Sequence, residues 1–305
     1  MRKRLFTLLA VFFILTKTYG QKIEKVFLDR TDTTRNCYTV IYPASLPWKG
    51  YLFLVPGFGE TAERVLEQTG LPVEAAKNGL LVIIPTFQDG VLSFGVDSLS
   101  QQSFSRIIKD VTGKHKLQDL DFYIGGFSIG GSTAIKYAET ADKKPKAVFA
   151  IDPPLDFERF YHAASRDIRL SVKKQPNPEN VYMVGRIEKV MGGTPQTVLE
   201  SYYKTSPYSF TDTSQSAVKG LMHLPLRIYA EPDIQWWLKE RNADVTSMNI
   251  TDCSAMINEL NRLGNNNATL MITQNKGYRK PNNQRHPHSW SIVDNNELIK
   301  WLLKR

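Results

Sequence analysis

Residues 120–141 read LDFYIGGFSIGGSTAIKYAETA, and the reading of Gly126-Phe127-Ser128-Ile129-Gly130 at its centre decides the fold. DFYIGG before Ser128 has the composition of a β-strand. SIGGSTAIKYAETA after it is helical, with the small residues Gly130, Ala134, Ala138 and Ala141 returning at steps of 4, 4 and 3 on one face. Such a stripe lets a helix lie close against a sheet, while Lys136 and Glu139 fall outside it and are expected to reach solvent. A strand-to-helix turn this sharp holds its central residue in strained backbone geometry, and Gly126 and Gly130 stand where a side chain would strike neighbouring backbone. Ser128 then sits at a helix N-terminus, where the Ile129 N–H can donate to a developing oxyanion. A phosphate-binding loop would need a lysine after its glycines, and a dinucleotide fingerprint a G-x-G-x-x-G spacing; neither is present. A glycine turn without chemistry is the remaining alternative.

Outward from this stretch, apolar β-type runs alternate with helical patterns, the signature of an α/β sheet. Strands are expected at 22–29, 37–43, 51–55, 80–85, 121–126, 147–152, 226–230 and 268–273. Helices are expected near 60–77, 97–113, 129–141, 251–263 and 295–304, the last capped by Asp294 with Leu298, Trp301 and Leu302 on one face. The runs at 80–85 and 147–152 are continuously apolar, as strands covered on both faces are. Residues 153–220 hold no clear strand and are too long for an ordinary connection. Rich in aromatic and Met residues, this interval reads as a lid or cap insertion over one end of the sheet.

The first twenty residues read as a leader: cationic MRKR, the apolar run LFTLLAVFFIL, and TKTYG ending in a small residue. This implies a secreted or periplasmic protein cleaved after Gly20, the alternative being an uncleaved anchor. The leader takes four positive charges (Arg2, Lys3, Arg4, Lys17) from the formal +9, leaving +5 on residues 21–305, which form one domain with a single large core. No segment concentrates basic and aromatic residues as nucleic-acid sites do. Cys37 and Cys253 are expected as free thiols, and nothing resembles a zinc or calcium ligand set.

A serine nucleophile needs a base, and the base an orienting acid. His286 and His288, in RHPHSW, are the histidines of a late loop after the last strand. The strand at 226–230 runs into Ala230-Glu231-Pro232-Asp233, and Asp152 likewise follows AVFAI, so each delivers a carboxylate to the carboxyl end of the sheet. The PGFGE turn (56–60), the GFSIGG elbow, the strand end at 225–233 and the late PHSW occur in an order that resembles the α/β-hydrolase family over the whole length after the leader. The resemblance implies an eight-stranded, mostly parallel sheet with helices on both faces. It implies Ser128 as nucleophile, Asp233 as acid with Asp152 and Glu231 as alternatives, and His288 as base with His286 as alternative. Phe58 and Ile129 N–H would form the oxyanion hole. Alanine at 230, where many relatives have glycine, and Pro56, where many have histidine, depart from the pattern.

The implied chemistry is acyl transfer to water without a cofactor, on a small carboxylic ester, with Trp236 and Trp237 lining the pocket or filling core. The alternatives are a prolyl-oligopeptidase-like peptidase, for whose usual N-terminal propeller the chain has no room, and a fold-retaining binding protein without activity. Lys276, Arg279, Lys280 and Arg285, just before the base, read either as attraction for an acidic substrate or as a solvated loop.

Overall fold

The structure, a computed structural model, describes residues 21–171 and 175–305. The leader lies outside the described residues. All eight expected strands form: β1 Ile23–Phe27, β2 Cys37–Ile41, β3 Gly50–Val55, β4 Leu80–Thr86, β5 Phe122–Phe127, β6 Ala147–Ile151, β7 Leu226–Ala230 and β8 Ala268–Ile272. They join in one sheet of order β1-β2-β4-β3-β5-β6-β7-β8. β2 runs antiparallel to both β1 and β4, and every pairing from β4 through β8 is parallel. β5 is central, so the turn at its carboxyl end opens in the middle of the sheet, where groups from flanking strands can converge.

Side chains of successive strand residues point to opposite faces, and the core divides accordingly. Phe53 and Ile83 join one apolar layer with Phe104, Ile107 and Val111 of α3 (Ser98–His115), Ala134 and Ala138 of α4 (Ile129–Thr140), and Met256 and Leu260 of a helix at Ile250–Arg262. Leu52, Leu54, Val82 and Ile84 join the other, with Val65 of α1 (Ala62–Gln68), Leu71 and Ala75 of α2 (Leu71–Lys77), and Leu298, Trp301 and Leu302 of the last helix, Asn295–Leu302. Complete burial of such side chains contributes about 1.5–3 kcal/mol each, before conformational entropy is subtracted. Asp294 caps the last helix as expected, accepting from Glu297 N at 3.0 Å.

Two expectations fail for physical reasons. The helix expected over 60–77 is two, because Thr69 is extended (φ −140°, ψ 145°), its hydroxyl accepts from Leu71 N, and Pro72 starts the second helix. Lys136 and Glu139 are buried rather than solvated: they pair at 2.8 Å, and Lys136 Nζ also donates to Ser206 O. Residues after β6 lie over this outer face of α4, which a helical wheel cannot foresee. Burial pushes Glu139 up to about 8 against the opposing pull of Lys136.

Between β6 and β7 the described residues form helices α5 (Phe157–Leu170), α6 (Pro178–Met191), α7 (Pro195–Thr205) and α8 (Ser216–Lys219) and no strand. Phe157, Met183, Ile187, Met191 and Tyr202 pack with Phe94, Val96 and Ile129 in a third apolar cluster. Ile129 follows Ser128, so these helices rest directly on the elbow. Cys37 and Cys253 are both buried free thiols, one on β2 and the other on the helix packed against β7 and β8.

Candidate active site

Ser128 adopts φ +53°, ψ −126°, a conformation L-residues rarely hold. Its N–H donates to Ile151 O at 2.8 Å, and its carbonyl accepts from Gly131 and Ser132. The flanking glycines are sterically required. A Cβ at Gly126 would meet Gly130 C and Val55 O at 2.5 Å, and one at Gly130 would meet Pro56 O and Val55 O at 2.3 Å. The chain thus turns from β5 into α4 with its strand, its helix and the β3 loop in backbone contact.

The Ile129 and Phe58 N–H groups donate to no protein acceptor among the described residues. Phe58 lies on the loop after β3, and Glu60 shapes that loop by accepting from Gly57 N at 2.9 Å. The same carboxylate accepts from Trp290 Nε1 at 3.0 Å, tying the loop of Phe58 to the segment bearing His288. Glu60 was not anticipated from the sequence; a carboxylate three residues after a turn glycine was the available signal.

His288 Nδ1 lies 2.6 Å from Asp152 Oδ2. Its ring packs on Phe127, centroids 4.5 Å apart, and Phe127 in turn on Trp290 at 5.3 Å. The carboxylate on His288 is therefore that of Asp152, not of Asp233. Asp152 follows β6 directly with φ +46°, its N–H on Tyr229 O and its carbonyl accepting from Asn249 Nδ2 at 2.8 Å. Asp233 is held elsewhere: its Oδ2 accepts from Arg285 Nη2 at 2.7 Å and its Oδ1 from Trp236 N. Glu231, almost wholly buried, takes Arg285 Nη1 at 2.7 Å and the N–H groups of Lys276 and Gly277. Both carboxylates after β7 thus anchor the loop that carries His288, and the residue after β6 supplies the carboxylate that touches it.

His286 is buried away from Asp152. Arg241 Nη2 lies 3.1 Å from its Nε2, and Trp236 lies against its ring at 4.7 Å. Burial, with Arg279 and His288 adding to it, brings His286 down to about 2, so it stays neutral. Trp237 lines the cavity beside Ser128, whereas Trp236 is not among its lining residues. The basic loop is only partly solvated. Arg285 is spent on Glu231 and Asp233, and Arg279 is half-buried, its Nη2 donating to His288 O at 2.9 Å.

Ser128, Ile129, Phe58, Asp152 and His288 border one cavity of about 430 Å³, which Phe160, Asn180 and Met183 of α5 and α6 also line. Ser128 and His288 share its wall without a direct hydrogen bond, a separation that does not exclude proton transfer between them once a ligand is bound.

No family model matches the chain, and no curated protein matches it. Solved structures do. An S-formylglutathione hydrolase from Agrobacterium tumefaciens superposes with TM-score 0.55 at 15% identity, covering 88% of this chain and 89% of the other. The fluorophosphonate-binding serine hydrolase F (FphF) of Staphylococcus aureus gives TM-score 0.55 at 15% identity over 93% of this chain and 99% of its own. An acylaminoacyl peptidase of Pyrococcus horikoshii gives TM-score 0.54 at 13% identity over 85% of this chain; the match spans only 37% of that longer protein.

Proposed function

With the α/β-hydrolase fold as its frame, we propose that this chain is a serine hydrolase that cleaves carboxylic esters through a Ser128–His288–Asp152 triad and an acyl-enzyme. The observation that carries the reading is the conjunction of a strained serine at the β5–α4 turn with an Asp152–His288 contact on the same cavity. His288 Nε2 takes the Ser128 proton as Oγ attacks the ester carbonyl. Asp152 holds the Nδ1–H tautomer and stabilises the imidazolium that forms. The Phe58 and Ile129 amides receive the oxyanion. Collapse of the tetrahedral adduct expels the alcohol, which takes the proton from His288. Water, deprotonated by the same imidazole, then releases the acid and restores Ser128.

Helices α5–α7 act in this reading as a lid whose Phe160 and Met183 meet the acyl or alcohol part, and the apolar leader directs the protein to export. Esters are favoured over peptides because the wall beside Ser128 includes apolar Phe58, Phe94, Phe160 and Met183. The test is a fluorophosphonate probe with the adduct mapped by mass spectrometry, followed by 4-nitrophenyl esters against aminoacyl anilides for wild type and Ser128→Ala. The reading predicts an adduct on Ser128 and faster ester turnover. Anilides turning over faster would make the protein a peptidase, and no adduct on Ser128 would remove the nucleophile.

A further inference from the structure

Arg279 is anomalous among the arginines. Of the half-buried arginines among the described residues, Arg64, Arg159, Arg186, Arg227 and Arg285 each lie within 4 Å of a carboxylate. Arg279 does not. It borders the cavity of Ser128, its Nε and Nη2 fixed on the His288 carbonyl at 3.2 and 2.9 Å, which leaves Nη1 uncommitted. Arg241, an exposed arginine, borders the same cavity, its Nη2 on His286 Nε2. That contact makes Nε2 the acceptor and holds the imidazole neutral between two guanidiniums. Burial, and then the charge of Arg241, pull Arg279 below its ordinary value. A desolvated cation beside a like charge is costly unless an anion completes the arrangement.

None of the acids of the cavity lies within 4 Å of Arg279, although the charges of Glu60 and Glu179 oppose those of Arg241 and Arg64 from further away. Asp152 is on His288, Glu231 on Arg285, and Glu60 on Gly57 and Trp290. Asp167, hydrogen-bonded to Ser247, and Glu179 belong to the wall formed by α5 and α6.

We propose that Arg279 and Arg241 form a subsite for an anionic group, carboxylate or phosphate, carried by the ester substrate. This rests on the serine-hydrolase reading and narrows its substrate class. The bound group takes Arg279 Nη1 and the free donors of Arg241 in charge-assisted hydrogen bonds. Because Arg279 is fixed to the backbone of the base itself, an anion seated there places the ester against Ser128 by its own binding.

The test compares kcat/KM within matched pairs at low ionic strength. One pair is 4-nitrophenyl hexanoate and the 4-nitrophenyl monoester of adipic acid. The other is phenyl butyrate against its 4-carboxy and 4-phosphonooxy derivatives. In at least one pair the anionic member is expected to lead by about tenfold or more, the pair identifying the acyl or the alcohol side. That lead shrinks with added salt and in Arg279→Gln and Arg241→Gln, and is partly kept in Arg279→Lys. The lead is a ratio within one variant, so a general loss of activity does not imitate its disappearance. Neutral or trimethylammonium esters matching or exceeding the anionic ones in both pairs would overturn the subsite, as would a lead that survives Arg279→Gln. Failure of Ser128 to take a fluorophosphonate sinks the hydrolase reading separately. Calorimetric binding of adipate and phenyl phosphate to Ser128→Ala, lost in Ser128→Ala/Arg279→Gln, reads the subsite without turnover, and absence of binding counts against it.

Discussion

Replacing Asp152 with Asn keeps the shape of the side chain and removes its charge. In the native arrangement Oδ2 lies 2.6 Å from His288 Nδ1, and Asp152 is only 8% exposed, so water cannot readily replace the carboxylate. An asparagine there can turn its amide NH2 to the ring and favour the tautomer protonated on Nε2. That imidazole cannot take a proton from Ser128. The comparable change in other serine triads lowers kcat by about 10⁴-fold, which at about 1.4 kcal/mol per decade is about 5.5 kcal/mol of transition-state stabilisation. Asp233→Asn is the matched control. It weakens the 2.7 Å contact to Arg285, but Arg285 keeps Glu231 at 2.7 Å, and asparagine caps the following turn as well as aspartate does. Its expected costs are at most about 1 kcal/mol of stability, for a partly exposed pair, and about threefold in kcat. The assay is kcat on a 4-nitrophenyl ester, with thermal midpoints recorded for both variants to separate activity from folding. Asp152→Asn within tenfold of wild type, or Asp233→Asn falling as far, would refute the assignment of the acid.

Three further outcomes follow from buried groups and close approaches. His286 sits at about 2 against an ordinary 6.5, so its contribution to stability is complete above pH 6.5 and is lost as pH falls toward 2. Between pH 6.5 and 4.5 this is about 2 kcal/mol, and urea midpoints of His286→Gln should vary less with pH than those of wild type; equal slopes would contradict the burial argument. Lys136→Met strands Glu139 without its 2.8 Å partner, and the carboxyl, already at about 8, takes up a proton; the change should cost about 1–3 kcal/mol in urea unfolding, most of it recovered in Lys136→Met/Glu139→Leu; no recovery would mean that the pair is not the source of the loss. Gly126→Ala and Gly130→Ala drive a Cβ into backbone at 2.5 and 2.3 Å and should lower the thermal midpoint sharply or abolish folding. Gly113→Ala, which meets nothing within 4 Å in α3, should stabilise by up to about 1 kcal/mol.

The parts legible from the chain alone are those that local pattern determines. All eight strands, the elbow glycines, the close-packing face of α4 and the Asp294 cap follow from periodicity and from what a sharp turn tolerates. The carboxylate that meets His288 was not legible in the same way. Two strand ends, Asp152 after β6 and Glu231-Pro232-Asp233 after β7, offer carboxylates at the same edge of the sheet. Which one meets His288 depends on where the loop 273–288 is tethered. Arg285 decides that by taking both Glu231 and Asp233, and in the sequence Arg285 is one cation of a basic run that reads either as attraction for an acidic substrate or as a solvated loop. Lys136 and Glu139 fail by the same logic: a segment some seventy residues downstream, ending in the Ser206 carbonyl, covers a helix face whose own composition says solvent. Long-range cover, not local propensity, separates these cases.

Ser128 and the Asp152–His288 pair are tested together by labelling with a fluorophosphonate, followed by peptide mapping of wild type, Ser128→Ala and Asp152→Asn. One adduct is expected, on Ser128, absent in Ser128→Ala and formed far more slowly in Asp152→Asn. An adduct on another residue, or equal labelling rates in wild type and Asp152→Asn, would contradict that expectation.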